Sequence, residues 1–264
     1  MRKVSSVTNA SSMRINKAVA KLLKISRRDA EKYVLGKRVQ KNGVTVTELS
    51  ERIRAADKIA IDGTVLRHSE EVLSASPRLW ICHKLTGELV TMDDPGGRPT
   101  IFNRLEKMGL PYGLKAVGRL DYNTSGLILL TNDGDLKRTL EHPRQSKITR
   151  TYRVTVKGVV RPSWLNFLRK GAKINGTHYR PMQIEVLESK KSESFLEVAL
   201  EEGKKNEIRR ALSAGGLHVN KLVRVEFGPY HLGQLKPGDV LEVGVNKLDG
   251  VLTQQGRGRR RKLK

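Results

Sequence analysis

The chain has 264 residues, and its 51 Lys and Arg against 27 Asp and Glu give a formal net charge of +24. This excess predicts a polyanionic partner, for which nucleic acid is the commonest. No apolar run approaches the ~20 residues of a membrane-spanning helix, so we expect no membrane partner. The single cysteine, Cys82, excludes an intrachain disulfide and a thiolate zinc site, and its apolar surroundings place it in the core.

The N-terminal segment is basic and contains no acidic residue before Asp29. Such a serine-containing start resembles an organellar transit peptide, but a helical pattern that begins near Met13 limits any presequence to a short one. Residues 1–12 lack the apolar core of a secretory signal. We expect the bacterial cytoplasm, with the mitochondrial or plastid matrix as the alternative.

Two short helices are predicted between residues 14 and 36. In the first, Ile15, Val19 and Leu22 or Leu23 recur at helical spacing. Ser26 is the expected N-cap of the second helix, since an acidic residue stands three positions later, and Gly36 is its expected C-cap.

A β-hairpin and a further strand follow these helices. Asn42-Gly43 between short apolar and polar runs favours a type I′ turn, and residues 59–61 predict a strand that ends in an Asp62-Gly63 turn. The order of two helices, a hairpin and a strand over residues 13–66 resembles the small RNA-binding domain of ribosomal protein S4. The matching segments are Arg14-Ile15-Asn16-Lys17, Ser26-Arg27-Arg28-Asp29-Ala30-Glu31, Gly36-Lys37-Arg38-Val39 and Asn42-Gly43.

This resemblance implies that a cluster of basic residues binds RNA phosphates, which supply affinity and little sequence information. A solvated basic face is the alternative for any single member. The family usually has Leu-Asp where Ile15-Asn16 stand. The implied RNA-binding residues are Arg14, Arg27, Arg28, Lys37 and Arg38.

A second domain is predicted over residues 79–247, after a polar linker at 67–78 and before a basic disordered tail at 248–264. Its strands and helices do not alternate regularly, which favours an α+β fold with a mostly antiparallel mixed sheet. The predicted strands are 79–83, 89–92, 126–131, 151–156, 182–186, 195–199 and 219–227. The predicted helices are 101–107, 135–141, 163–168 and 206–213.

Asp121 lies in a loop that Gly118 and Gly126 bound, directly before the continuous apolar run 127–130. A buried strand is a rigid platform, and loops at strand ends often carry catalytic groups. A lone Asp in such a turn is more often a turn former. Asp133 is the expected N-cap of the helix near Asp135.

Four segments in this order resemble the RsuA/RluB type of pseudouridine synthase, and the first segment is most similar to the RluB branch. The family commonly has Asn-Lys-Pro where His83-Lys84-Leu85 stand, and Glu207 replaces a frequent Gln. We expect His83 to be a packed strand-end residue. The four segments are 83–89 with 94–100, 118–126, 151–154, and 202–212 followed by Arg224-Val225 and Gly228-Pro229.

The resemblance implies a catalytic role for three residues and pocket contacts for two others. Asp121 is the essential carboxylate beside the sugar, Tyr152 stacks on the extruded base and assists proton removal, and Arg209 pairs with Asp121. Ile208 lines the pocket, and Arg119 contacts substrate. Isomerising uridine loses no atom and changes no oxidation state, so no cofactor and no metal are expected.

The expected function is site-specific isomerisation of uridine to pseudouridine in ribosomal RNA, and the RluB-like segment favours the large subunit. The partner is then ribosomal RNA or a ribosomal precursor particle, and a monomer suffices. The alternative is a catalytically inactive rRNA-binding assembly factor with the same fold. A nuclease is less favoured, because the sequence shows no acidic cluster suited to paired metal ions.

Overall fold

The computed structural model describes residues 12–54, 56–66, 76–141 and 148–245. The chain divides into two compact units, Met1–Ser76 and Pro77–Lys264, and each is described by itself. Residues 67–75 of the predicted linker and the whole predicted tail lie outside the described residues. Among the described helices, none is long and apolar enough to cross a membrane.

The first unit begins with two helices, α1 (Ile15–Leu23) and α2 (Arg27–Leu35). The predicted cap of α2 is confirmed, because the Asp29 backbone N–H donates to Ser26 Oγ at 3.1 Å. Gly36 is the C-cap residue as predicted, but the left-handed conformation falls on the next residue, Lys37, with a φ of 58°.

The described residues of the first unit also form six short strands. Strands β3-β2-β5-β6 form an antiparallel sheet in that order, and β1 pairs with β4. Asn42 and Gly43 both have positive φ, 53° and 84°, which confirms the predicted hairpin turn. The strands are β1 (Met13–Arg14), β2 (Val39–Lys41), β3 (Val44–Thr45), β4 (Arg52–Ile53), β5 (Ile59–Ile61) and β6 (Thr64–Leu66).

The second unit is built on a nine-stranded sheet whose main path runs β13-β14-β10-β15-β9-β7-β17. β8 also pairs with β9, β16 pairs with β15, and β11 and β12 form a separate hairpin. All these pairs are antiparallel except β9 with β15. The strands are β7 (Leu79–Lys84), β8 (Lys115–Val117), β9 (Ser125–Thr131), β10 (Arg150–Lys157), β11 (Ala172–Ile174), β12 (Thr177–Tyr179), β13 (Gln183–Ser189), β14 (Ser194–Leu200), β15 (His218–Phe227), β16 (Tyr230–His231) and β17 (Val240–Val243).

In the described part of the second unit, the helices that pack on this sheet are α3 (Ile101–Lys107), α4 (Gly134–Glu141), α5 (Pro162–Arg169) and α6 (Glu207–Ser213). Helix α4 packs on the face that buries Leu127 and Leu129, whereas α3 packs on the face that buries Ile128 and Leu130. Strand β9 is therefore apolar on both sides, which explains its uninterrupted run of Leu and Ile. The expected α+β class with a mostly antiparallel mixed sheet is confirmed.

One predicted strand, at residues 89–92, does not form. Only Leu89 makes a bridge, to Thr100. The Asp94-Pro95-Gly96-Gly97 turn follows at once and brings the chain back, so that Leu89 N–H donates to the Pro99 carbonyl at 2.9 Å. Residues 89–92 therefore belong to a loop and not to a strand.

Candidate active site

A row of directly paired residues crosses the central sheet beneath the Asp121 loop. Lys84 on β7 pairs with Gly126 on β9, Gly126 pairs with Arg224 on β15, and Arg224 pairs with Tyr152 on β10. Directly paired residues project to the same face of a sheet. Four strands that are distant in sequence therefore present Lys84, Arg224 and Tyr152 to one face.

Gly126 occupies the one position in this row that cannot hold a side chain. Its φ is +104°, and a Cβ added there would lie 2.3 Å from the Arg224 carbonyl oxygen and 2.6 Å from the Arg224 nitrogen. The parallel pairing of β9 with β15 at this point depends on that close approach.

A cavity of about 490 Å³ opens above the row. The structure brings Asp121, Arg119, Tyr152 and Ile208 to this one cavity. Its walls come from the Asp121 loop, from β10 and β15, and from the segment that leads into α6. The remaining lining residues are Gly118, Leu120, Thr124, Lys137, Glu141, Arg150, Leu200, Gly203, Lys204, Lys205, Asn206, Glu207, Leu222, Arg224 and Phe227.

Asp121 and Arg119 are exposed, Tyr152 is half-buried, and Ile208 is buried. The loop that carries Asp121 is closed by a turn in which the Thr124 N–H donates to the Asp121 carbonyl oxygen at 3.0 Å. The arrangement places a solvent-reachable carboxylate and an aromatic ring around the same space.

Lys84 anchors the Asp121 loop from below, a role that the sequence analysis did not predict. Its ammonium is fully buried and donates to the backbone carbonyl oxygens of Leu85, Asp121 and Thr124 at 2.8, 3.2 and 2.8 Å. Burial lowers the pKa of Lys84 to about 8, against the opposing attraction of Glu88 and Asp121. The feature of the sequence that could have indicated this role is a lysine at the end of an otherwise apolar strand.

Arg209 contacts the same loop from the other side. Its Nη2 donates to the Asn123 carbonyl oxygen at 2.8 Å, and its Nη1 donates to the Val219 carbonyl oxygen at 2.9 Å. Within the described residues no ion pair joins Arg209 to Asp121. The half-buried guanidinium is directed at backbone carbonyls, so it holds the loop two residues after the carboxylate.

Two buried carboxyl groups, Glu202 and Glu207, lie near the start of α6, and Glu207 lines the cavity. Glu202 accepts hydrogen bonds from the Arg180 backbone N–H at 2.7 Å and from Lys204 Nζ at 2.5 Å, and Glu207 Oε2 accepts from the Lys204 N–H at 2.8 Å. The remaining oxygen, Glu207 Oε1, has no hydrogen-bond partner, and the Glu207 carboxyl group lies in contact with that of Glu202. Two acceptors in contact require a proton between them.

That shared proton belongs mainly to Glu207. Burial and the Glu202 contact raise the pKa of Glu207 to about 8. Burial also acts to raise the pKa of Glu202, but hydrogen bonds from Glu207, Lys204 and Arg180 outweigh it and lower that pKa. The pair is therefore one neutral acid and one carboxylate at neutral pH.

The basic residues predicted to bind RNA in the first unit are surface residues. Arg14, Arg27, Arg28 and Lys37 are exposed. Arg38 differs from them, because it makes a two-pronged ion pair with Asp62 at 2.7 and 2.6 Å and lies over the Tyr33 ring. Its charge is already partly neutralised.

The structural roles expected for three other residues are confirmed. Asp133 Oδ1 accepts from the backbone N–H groups of Asp135 and Leu136, which caps α4, and Cys82 is fully buried. His83 contacts the Leu235 carbonyl oxygen through Nδ1 at 2.8 Å. Among the described residues no group of His, Cys, Asp and Glu is arranged to hold a metal ion.

Known proteins match both units. Residues 78–214 match the RNA pseudouridylate synthase family, and residues 13–59 match the S4 domain family. An uncharacterised RNA pseudouridine synthase of Rickettsia typhi is 38% identical over 92% of this chain and 96% of its own length. The ribosomal large subunit pseudouridine synthase B of Pseudomonas aeruginosa is 36% identical over 92% of this chain and 62% of its own length.

A solved structure agrees with these sequence matches. The crystal structure of a pseudouridylate synthase superposes with a TM-score of 0.60 at 25% identity, over 91% of this chain and 99% of that one. The cavity with its carboxylate, tyrosine and apolar wall lies in the matched region. The chain therefore belongs to the RNA pseudouridylate synthase family, with an S4 domain preceding its catalytic domain.

Proposed function

We propose that this RNA pseudouridine synthase isomerises a defined uridine of ribosomal RNA, in the large subunit, and that Asp121 is the essential residue. The observation that carries the proposal is the cavity where Tyr152 on β10 meets Asp121, whose loop is braced by Lys84. The name of the Pseudomonas aeruginosa relative supports the large ribosomal subunit as the substrate.

The reaction exchanges one bond to the sugar for another. The C1′–N1 bond breaks and its electron pair remains on the base, while the Asp121 carboxylate stabilises or attacks C1′. The base turns, C5 bonds to C1′, the C5 proton leaves, and N1 gains a proton. Atoms and electrons balance within the uridine.

The residues that line the cavity support the following roles in this proposal. The Tyr152 ring stacks on the extruded base, a contact worth about 1–3 kcal/mol, and offsets part of the cost of unstacking. Ile208 supplies an apolar wall beside the base. Arg209 acts as a positioning residue through the Asn123 carbonyl, and Arg119 contacts the RNA at the cavity mouth.

The first unit supplies affinity for the RNA backbone. Its exposed residues Arg14, Arg27, Arg28 and Lys37 offer positive charge to phosphates, with little sequence information. The named relatives come from bacteria, which supports action in a bacterial cytoplasm, and the cavity is complete within one chain, which supports a monomer.

The test compares Asp121→Asn with wild type and with Asp93→Asn, an exposed aspartate outside the cavity. Pseudouridine is mapped in ribosomal RNA from cells that lack the protein and carry each version. We expect one large-subunit site to be lost with Asp121→Asn and retained with the control, with RNA affinity nearly unchanged, because the Asn side chain keeps the shape and loses the charge.

A site that Asp121→Asn still modifies would refute the role of Asp121. A pseudouridine map that does not change when the protein is deleted, together with faulty subunit assembly, would support the inactive assembly factor.

A further inference from the structure

Unpartnered polar atoms concentrate in the wall of one cavity. Across the described residues, four buried side-chain polar atoms have no hydrogen-bond partner: Thr124 Oγ1, Glu207 Oε1, Arg224 Nη2 and Asn16 Oδ1. The first three line the Asp121 cavity. Buried polar groups are nearly always paired, so such a concentration calls for an explanation. The proton shared with Glu202 accounts for Glu207, and Thr124 and Arg224 remain.

Arg224 is the larger exception because it is charged. Its side chain is 2% exposed, and only its Nε is engaged, by donating to the Leu127 carbonyl oxygen at 2.7 Å. Its Nη2 is buried and has no acceptor. A buried charge normally has an oppositely charged or hydrogen-bonded partner.

A second buried arginine adds to this charge. Arg150 donates through Nη1 to the carbonyl oxygens of Ile148 and Glu201 at 2.9 and 2.8 Å. The guanidinium groups of Arg150 and Arg224 lie 4.9 and 5.3 Å from the centre of the Phe227 ring. In the part of the chain that the structure describes, neither arginine forms an ion pair.

These contacts make a cationic floor, which we define as Arg150 and Arg224 around Phe227. Neutral backbone carbonyls accept from some of its N–H groups, and within the described residues no carboxylate forms an ion pair with either arginine. Because Arg224 lines the cavity, a ligand that enters it lies beside a guanidinium that keeps an unpaired N–H group. Because Nε of Arg224 donates to the Leu127 carbonyl, its remaining N–H groups are on the two terminal nitrogens, which can donate to an oxygen acceptor of the ligand.

We propose, on the basis of the proposed function, that Arg224 donates a hydrogen bond to a carbonyl oxygen of the target uracil and stabilises the negative charge that forms there. When the C1′–N1 bond breaks, the electron pair left on N1 spreads over the ring to its carbonyl oxygens. A fixed donor in a buried site favours that charge without reorganising. The charge returns to the ring when C5 bonds to C1′. Arg150 acts as a positioning residue for the floor.

The direct test uses Arg224→Lys and Arg224→Gln in the full-length protein, with Arg153→Lys as the matched control. Arg153 lies next to Tyr152 on β10, but it is exposed and paired with Glu197 at 2.8 Å. The substrate is a short RNA that spans the uridine mapped above. Thermal unfolding, RNA affinity and the single-turnover rate of pseudouridine formation are measured for each protein.

We expect Arg224→Lys to lower the single-turnover rate by about 100-fold or more, as loss of an oxyanion donor does, with RNA affinity changed by no more than about threefold. A folded variant with a nearly unchanged rate would overturn the proposal. Weaker RNA binding with an unchanged rate would also overturn it, because it would assign Arg224 to the RNA backbone.

A second measurement does not depend on the variants folding. The wild-type enzyme is given the same RNA with 2-thiouridine or 4-thiouridine at the target position. Sulfur is a poorer acceptor than oxygen, so we expect one of the two substitutions to slow the reaction much more than the other. Equal rates for both would contradict a specific carbonyl contact.

These measurements distinguish a wrong proposed function from a wrong role for Arg224. A wild-type enzyme that forms no pseudouridine would refute the proposed function. A wild-type enzyme that forms pseudouridine alongside an equally fast, folded Arg224→Lys variant would refute only the role of Arg224.

Discussion

The two units use the same cationic side chains in opposite environments. The second unit buries Lys84 and Arg224 beside the Asp121 loop, where the Lys84 ammonium and Arg224 Nε donate to backbone carbonyl oxygens. The first unit leaves Arg27, Arg28 and Lys37 exposed. A buried charge is costly and must be oriented, whereas an exposed one adds long-range attraction that salt screens. We infer that the buried cations shape the Asp121 cavity and that the exposed ones are available to RNA phosphates.

The largest expected effect tests the buried row itself. Gly126→Ala should destabilise the second unit by at least about 3 kcal/mol, because the new Cβ would clash with the Arg224 backbone. Gly113→Ala is the control, since Gly113 also has positive φ but open space around it, and it should cost only about 1–2 kcal/mol. Chemical denaturation measures both. Equal losses of unfolding free energy for the two variants would mean that Gly126 is required by its positive φ and not by the close approach of the Arg224 backbone.

Loss of the Lys84 ammonium should affect both stability and activity. Lys84→Met leaves the carbonyls of the Asp121 loop without their donor, which should cost about 2 kcal/mol and lower the rate of pseudouridine formation. Lys221→Met, an exposed lysine on β15, should change stability by no more than about 0.5 kcal/mol. Full activity in a folded Lys84→Met protein would show that the loop does not need this brace.

The Glu202–Glu207 pair predicts a pH effect that exposed carboxylates lack. The pKa of Glu207 rises from 4.5 to about 8 on folding, so between these values the folded state holds more protons than the unfolded state. The stability that Glu207 contributes is therefore full below pH 4.5 and is lost as the pH rises to about 8.

Glu207→Gln should remove this loss. Its melting temperature should fall less between pH 5 and pH 8 than that of wild type, whereas Glu106→Gln, on the exposed face of α3, should follow wild type. Thermal scans at both pH values measure the difference. Parallel curves for wild type and Glu207→Gln would contradict a proton on Glu207.

The smallest expected effect belongs to the surface cations of the first unit. Lys37→Gln should weaken RNA binding and reduce the slope of log affinity against log salt by about 1, with no change in rate at saturating RNA. Lys58→Gln, an exposed lysine outside the predicted cluster, should leave the slope unchanged. Binding titrations at several salt concentrations measure it. A fall in the saturated rate would make Lys37 part of the reaction site.

Local signals predicted much of the fold. The Ser26 and Asp133 caps, the Asn42-Gly43 turn and the apolar strand β9 all depend on neighbours in sequence, and all are present. The strand expected at 89–92 did not form, because a Pro-Gly turn directly after it reverses the chain direction. Strand pairs such as β7 with β17 join segments far apart in the chain, and β17 was not predicted.

The sequence by itself determined the α+β class, the family and the loop that carries Asp121, because helix caps, turns and a motif are written in consecutive residues. Only the tertiary structure decided which cations are buried and what they face. Lys84, Gly126, Tyr152 and Arg224 become neighbours through strand register, and register is set by packing across the whole sheet. Three residues of the same type therefore differ in role: Arg209 braces a loop, Arg224 lines the floor of a cavity, and Arg27 is exposed to solvent.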